Sequence, residues 1–304
     1  MSTVPTDERI KQAVRQAYGA AAASVSGIEP TRATCCSGAE PTLATCCSSA
    51  EPEPVQAACC SDVEPAPASC GCRTCQPQSS DAVVVEVAAA ELDDMAAREP
   101  NLADLQPGEV VLDLGSGAGL ACLLAARKVG PAGRVIGLDM TPEMIKLARR
   151  NARKVEATNV EFNWGEIEDM PLPDGSVDLI ISNCVVNLSP DKAAVFREAY
   201  RVLKPGGRMV ISDIVLDGEL PPPIRESLIA WAACVAGALQ EPDYLGKIRA
   251  AGFTQVDVLA REPVAISQVP GWQLARTALA QAGLPPDALD HTVINARVRA
   301  HKPA

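Results

Sequence analysis

Short β-branched segments alternate with longer helical stretches from residue 105 onward, and this alternation limits the folds open to the chain. The predicted strands are Val110–Leu114, Arg134–Asp139, Val160–Trp164, Val177–Asn183, 208–215 and 255–261, with 293–298 as a late strand. The predicted helices are 120–128, 142–154, 191–203 and, in two parts, 222–251. Strands joined by helices of this length form βαβ units, so the pattern predicts an α/β fold with a parallel sheet.

The part of the chain before residue 105 has a different character. Ile10, Val14 and Tyr18 share one face of a short helix predicted within residues 1–27. Residues 28–80 are rich in Pro, Ser, Ala and Glu and nearly free of large apolar side chains. Such a segment buries too little apolar surface to offset its chain entropy, so we expect it to be disordered. A helical pattern over residues 81–104 then connects it to the core.

The segment 28–80 is also cysteine-rich. Nine of the twelve cysteines lie between Cys35 and Cys75, with pairs that begin at residues 35, 46 and 59. One interpretation is an arm that collects metalloid and raises the local thiol concentration near a site. The other is a low-complexity expansion with no role. The residues alone do not separate these two interpretations.

Charge and hydropathy exclude several classes of partner. A net charge of −11 argues against a nucleic-acid partner, because phosphate backbones bind basic surfaces. The chain has no apolar run approaching the roughly 18 residues of a membrane-spanning helix, so no membrane partner is expected. The polar N-terminal sequence lacks the apolar stretch of a secretory signal. We therefore expect a cytoplasmic protein whose thiols stay reduced and can bind soft metals or metalloids.

A Gly-rich turn follows the first predicted strand in the sequence VVLDLGSGAG, Val110–Gly119. Gly115 and Gly117 permit close approach of the backbone to a ligand, and Gly119 permits tight packing of the next helix. The second strand ends at Asp139, where an acid can bind a ribose diol. The pattern favours a nucleotide-containing cofactor; the alternative is a Rossmann-like domain whose turn is Gly-rich for structural reasons.

Four phrases, DLGSGAG, GLDM, GEIEDMPLPDGSVD and REAYRVLKPGGRMVISD, together resemble the class I S-adenosylmethionine methyltransferases. The resemblance covers about residues 105–261 and implies a methyltransferase domain at 105–262, followed by a C-terminal extension at 263–304. It implies a Rossmann-like α/β fold with a mostly parallel, doubly wound sheet and an antiparallel last strand. It also implies S-adenosyl-L-methionine as the cofactor.

The same resemblance assigns the cofactor-binding residues. They are Asp113, Gly115, Ser116, Gly117, Asp139, Met140, Glu166, Ile167 and Asn183. The Gly-rich turn would accept the methionine part, with Asp113 steadying the turn or the amine. Asp139 would bind the ribose hydroxyls, Met140 would pack on the adenine, and Glu166 and Ile167 would lie at the adenine edge.

Two further cysteines lie where a methyl acceptor would bind. Cys184 follows the strand Val177–Asn183, whose carboxyl end lines the ligand crevice, and Cys234 is on a predicted helix that could cover the same crevice. The phrases DMTPEMI, ISNCVVNLSPDK and ACVAGAL resemble arsenite methyltransferases, in which the corresponding cysteines bind trivalent arsenic. This implies Cys184 and Cys234 as the catalytic, arsenic-ligating residues. Without the resemblance, two buried structural cysteines would be the preferred interpretation, and Cys122 is assigned to packing.

The positions of the histidines are compatible with arsenic as the methyl acceptor. Methyl transfer to oxygen or nitrogen often needs a general base, yet the two histidines, His291 and His301, both lie in the tail. Trivalent arsenic carries its own lone pair, and thiolate is the right ligand for a soft atom. The resemblance therefore implies arsenic detoxification by methylation of arsenite or monomethylarsenite, with glutathione or thioredoxin as the thiol reductant.

The sequence departs from the family at one thiol. Family members usually carry another cysteine shortly before the first strand, but this chain has Ala97 there and no cysteine between Cys75 and Cys122. Cys72 or Cys75 could supply the third thiolate, since 22 residues at up to about 3.3 Å each can reach the site. Glutathione could supply it instead, which would suit an already methylated acceptor. In the third alternative, arsenite methylation is weak or lost.

Two other functions compete with arsenic methylation. The first is a methyltransferase for a quinone or other small molecule, which predicts an acid or histidine in place of Cys184. The second is an arsenic- or metal-sequestering protein that retains a methyltransferase scaffold. The intact cofactor motif argues against sequestration, and the missing cysteine argues for it.

Overall fold

A computed structural model describes residues 5–26, 102, 104–263 and 272–304, all within one unit of the chain. The expected disorder at 28–80 lies outside the described residues. So do nearly all of the connecting helix expected at 81–104 and the positions of Cys72, Cys75 and Ala97.

The described residues form one sheet of eight strands. These are β1 (Val110–Leu114), β2 (Arg134–Asp139), β3 (Val160–Trp164), β4 (Val177–Asn183), β5 (Leu203–Leu216), β6 (Leu239–Gln240), β7 (Thr254–Pro263) and β8 (Val293–His301). Their order is β3-β2-β1-β4-β5-β8-β7, with the short β6 beside β5. The first six strands pair in parallel, and β8 runs antiparallel between β5 and β7. The expectation of a mostly parallel, doubly wound sheet with an antiparallel last strand is confirmed.

Eight α-helices are described. They are α1 (Asp7–Ser26), α2 (Leu120–Val129), α3 (Pro142–Lys154), α4 (Lys192–Val202), α5 (Pro222–Arg225), α6 (Leu228–Ala232), α7 (Glu241–Ala250) and α8 (Trp272–Gln281). The stretch 222–251, expected as two helical parts, is three short helices interrupted by β6. Among the helices in the described ranges, none has the length and apolar character needed to span a membrane.

The sheet places the crevice at the carboxyl ends of β1, β2 and β4. The register aligns Leu114, at the end of β1, with Leu138 on one side and Ser182 on the other, so the three ends are level. Chain connections diverge on either side of β1, and ligands of doubly wound sheets bind at such a switch point. Val111, Leu112 and Leu114 are fully buried, as expected for a central parallel strand covered on both faces.

The tail contributes to the same sheet. β8 pairs along β5 from Arg208 opposite His301 to Leu216 opposite Val293. In α8, Ala275, Ala278 and Leu279 are buried in the cluster that also contains Trp231. The sheet therefore extends beyond the boundary expected at residue 262.

Candidate active site

The Gly-rich turn between β1 and α2 is held against β2 by backbone hydrogen bonds. The amides of Gly115 and Ser116 donate to the Leu138 carbonyl at 2.8 and 3.0 Å. Gly115 has φ 68° and a Cβ there would overlap the Val185 side chain, so only glycine fits. A Cβ at Gly117 would meet no heavy atom within 4 Å. The turn is therefore packed against the protein at Gly115, whereas the space beside Gly117 is open.

Asp139 links this turn to the start of α3. One carboxylate oxygen accepts a hydrogen bond from the Gly117 amide at 2.9 Å, and the other accepts one from the Thr141 amide at 2.8 Å. Burial raises the pKa of Asp139, and the two amides partly oppose this effect by stabilising its charged form. The carboxylate thus lies beside the Gly-rich turn at the end of β2.

Glu166 follows β3 and is paired with α1. Its carboxylate accepts hydrogen bonds from Lys11 and Arg15, which lower the pKa of Glu166, and Lys11 also lies 3.4 Å from Glu168. The Glu166 side chain remains 33% exposed, so a ligand can still approach it. The family resemblance implied a position at the adenine edge for Glu166, but the sequence gave no indication that α1 would pair with it.

Asp113 and Cys122 form a separate buried pair. The Cys122 thiol donates to Asp113 at 3.2 Å, and burial together with that carboxylate raises the pKa of the thiol. Cys122 is fully buried. These contacts keep it protonated within the packing of α2, which agrees with the packing role expected from the sequence.

Cys184 and Cys234 lie next to each other although they are 50 residues apart in the chain, because the Cys234 thiol donates to the Cys184 carbonyl at 2.8 Å. The prediction that Cys234 lies on a helix is wrong: α6 ends at Ala232, and Cys234 occupies the turn that follows. Its φ of 61° is left-handed and cannot continue a helix. Cys184 has a φ of 52°, also left-handed. Such backbone is uncommon outside glycine and concentrates at functional sites.

The environment of the two thiols favours their protonated forms. Burial raises the pKa of both, and the nearby Asp213 carboxylate raises each further. Asp213 is itself buried and accepts hydrogen bonds from the Asn187 amide at 3.1 Å and the Tyr244 hydroxyl at 3.2 Å. Any ligand that binds both sulfurs must therefore displace their protons.

A buried cation lies beside this group. The Lys192 ammonium donates to the Ser189 carbonyl at 2.9 Å and lies 5.4 Å from the centre of the Trp231 ring. Burial lowers the pKa of Lys192, and the carboxylate of Asp213 opposes that shift. Sequence reasoning missed both charged residues. At Asp213 the available signal was a lone charge in the apolar run MVISDIV, whereas Lys192 lies in the polar sequence SPDK, which gave no such signal.

The site has two thiols, and the third cysteine in the described part of the chain, Cys122, lies apart from it and contacts Asp113. Within residues 5–26, 102, 104–263 and 272–304, no group of three or more His, Cys, Asp and Glu side chains is arranged to hold a metal ion. The site presents two soft ligands. They lie beside the Gly-rich turn, since Val185, the residue after Cys184, packs directly on Gly115.

Comparisons with known proteins identify the domain family and its relatives. Residues 105–281 match the methyltransferase domain family. An arsenite methyltransferase of Halobacterium salinarum is 45% identical over 202 residues, which are 66% of this chain and 49% of that protein. One from Aquipseudomonas alcaligenes is 43% identical over 170 residues, which are 54% of this chain and 49% of that protein. The chain thus spans about half the length of these curated relatives.

A solved structure gives the same assignment. The crystal structure of an arsenic(III) S-adenosylmethionine methyltransferase from Chlamydomonas reinhardtii superposes with a TM-score of 0.55 at 34% identity. The match covers 73% of each chain. With its methyltransferase domain, its sheet order and these relatives, the chain belongs to the S-adenosylmethionine-dependent methyltransferases of the arsenite methyltransferase family.

Proposed function

We propose that the protein transfers a methyl group from S-adenosylmethionine to trivalent arsenic, either arsenite or monomethylarsenite, bound by Cys184 and Cys234. The observation that carries the proposal is the placement of Cys234 against Cys184 beside the Gly-rich turn. The Cys234 thiol contacts the Cys184 backbone, and the next residue, Val185, packs on Gly115. An acceptor bound to both sulfurs would thus lie next to the cofactor turn.

The residues present fit the cofactor. The Ser116 hydroxyl is buried and has no hydrogen-bond partner among the described residues, and the space beside Gly117 is open. Both features leave room for a polar ligand at the turn. In this arrangement Gly115, Ser116 and Gly117 hold the methionine part and Asp139 binds the ribose. The other proposed cofactor contacts are Asp113, Met140, Glu166, Ile167 and Asn183.

When bound, S-adenosylmethionine supplies an electrophilic methyl group that accepts the arsenic lone pair as its bond to sulfur breaks. The protein therefore needs no general base at the acceptor. Its task is to hold a soft atom with thiolates in a fixed, dry position in front of the cofactor turn. Cys184 is partly buried and Cys234 fully buried, which suits exclusion of water from the acceptor.

The raised pKa values of the two thiols do not oppose arsenic binding. Each As–S bond forms as an As–OH bond breaks, and the thiol proton leaves with the hydroxyl group as water. Neutral thiols are thereby exchanged for a neutral arsenic–sulfur complex. No net charge is buried, so the desolvation that disfavours free thiolates at Cys184 and Cys234 is avoided.

The number of thiolates available at the site determines which arsenic species can be bound as the methyl acceptor. Monomethylarsenite needs two, which Cys184 and Cys234 provide; arsenite bound at three sulfurs needs another from Cys72, Cys75 or glutathione. Loss of the lone pair converts arsenic to its pentavalent state. Repeated turnover therefore requires a thiol reductant, for which we propose glutathione or thioredoxin.

A methyl-transfer assay separates the proposal from its alternatives. Purified protein is mixed with methyl-labelled S-adenosylmethionine, glutathione and either arsenite or monomethylarsenite. We expect the label on arsenic. Arsenic that binds without becoming labelled would favour a sequestering protein, and failure both to bind and to label arsenic would favour a methyltransferase for another small molecule.

A further inference from the structure

The helix α1 brings a tyrosine to the turn that carries Cys234. Ile10 and Val14 of α1 are buried in the same cluster as Trp231 and Cys234, and Tyr18 packs against that cluster together with Cys184. The Tyr18 hydroxyl donates to the Ala232 carbonyl at 3.4 Å and also interacts with the Cys234 thiol. A residue far away in the chain therefore contacts the arsenic-binding turn.

The orientation of α1 is fixed by charge as well as packing. Lys11 and Arg15 both pair with Glu166, and they lie one helical turn apart. Tyr18 follows three residues later on the same face of the helix. The contact with Glu166 therefore sets the rotation of α1 that directs Tyr18 at the Cys234 turn.

We propose that Tyr18 is a positioning residue for the arsenic acceptor, an inference that rests on the proposed function. Its hydroxyl steadies the turn from Ala232 to Cys234 and donates to the Cys234 sulfur once arsenic has replaced the thiol proton. The contact with the Ala232 carbonyl is long, so the single phenolic proton can turn toward the sulfur. Without the phenol, that sulfur has one donor fewer when it carries the partial negative charge of an As–S bond.

The surroundings of the phenol agree with a donor role. The Tyr18 ring packs against the buried cluster that contains Cys234, and its hydroxyl is held at the turn by the contact with the Ala232 carbonyl. The charged groups of α1 that pair with Glu166 lie one to two turns away along the helix.

The test is the substitution Tyr18→Phe, which removes only the hydroxyl. The probe is phenylarsine oxide, an aryl arsenical that binds two thiols. It is added to the full chain in excess over all cysteines, in the presence of glutathione as a competing thiol. Alkylation of the peptides that contain Cys184 and Cys234 is followed by mass spectrometry. We expect Tyr18→Phe to raise the phenylarsine oxide concentration for half-protection of Cys234 by about tenfold, as for loss of one hydrogen bond to a charged group.

Steady-state kinetics provides a second readout. In Tyr18→Phe the KM for monomethylarsenite should rise by a similar factor while the KM for S-adenosylmethionine stays the same. The matched control is Tyr200→Phe, since Tyr200 packs edge-on to Phe253 and its hydroxyl is not placed at the site. This control should change neither the protection nor either KM.

Three outcomes would overturn the inference. If the phenylarsine oxide concentration that half-protects Cys234 in Tyr18→Phe lies within twofold of its value in the unmodified protein, Tyr18 has no positioning role. If the KM for monomethylarsenite and the KM for S-adenosylmethionine rise by the same factor, the phenol serves only to dock α1. If phenylarsine oxide leaves Cys184 and Cys234 unprotected in the unmodified protein, the two-thiol site itself fails and the proposed function fails with it.

Discussion

Replacing Cys184 with Ser should reduce arsenic methylation by at least about a hundredfold, the cost of a misplaced reacting group. A hydroxyl oxygen is a poor ligand for a soft atom, so arsenic would keep at most one protein sulfur in the described site. Cys234→Ser should have an effect of the same size, because the two sulfurs act as one ligand set. The measurement is the initial rate of label transfer to monomethylarsenite.

The control for these two variants is Cys122→Ser. The Cys122 thiol already donates to Asp113 and a serine hydroxyl can do the same, so this variant should keep the methylation rate. Binding of S-adenosylhomocysteine should be unchanged in all three proteins. Arsenic methylation at the normal rate in both Cys184→Ser and Cys234→Ser would show that arsenic binds elsewhere.

The second large effect is expected at Asp139. Asp139→Ala should weaken S-adenosylhomocysteine binding by about tenfold to a hundredfold, the range for hydrogen bonds to a charged group. The substitution removes the proposed acceptor for the ribose hydroxyls. It also releases the amides of Gly117 and Thr141, which the carboxylate holds at 2.9 and 2.8 Å. Isothermal titration calorimetry gives the dissociation constant.

A milder substitution of Asp139 distinguishes its proposed contact with the ribose from its support of the Gly-rich turn. Asp139→Asn keeps one carbonyl oxygen but loses the charge, so its affinity should fall between those of Asp139→Ala and the unmodified protein. Circular dichroism should give the same fold for all three. Unchanged affinity in Asp139→Ala would contradict the assignment of the ribose to this carboxylate.

Local patterns in the sequence predicted most of the sheet. β1 to β4 begin and end at the predicted residues, because each is a short segment rich in apolar residues and bounded by turn residues. β5 is longer than expected and begins at Leu203, since its partners extend the ladder at both ends. Pairing with neighbours, rather than local propensity, decides such ends.

The details of the site depended on contacts that local patterns do not carry. The turn at Cys234 is set by its left-handed backbone and by the hydrogen bond to Cys184, 50 residues earlier. The pairing of Lys11 with Glu166 spans 155 residues and brings α1 to the site. The resemblance to a family pointed to the cysteines, whereas Tyr18, Lys192 and Asp213 emerged only from the three-dimensional arrangement.

Arsenic X-ray absorption on the bound protein tests most directly whether Cys184 and Cys234 hold the acceptor. The sample is the 304-residue chain with the nine cysteines between Cys35 and Cys75 changed to Ser, loaded with monomethylarsenite. We predict arsenic coordinated by two sulfurs, and loss of this coordination when Cys184 and Cys234 are also changed to Ser. Sulfur coordination that persists without these two residues would show that the acceptor binds elsewhere.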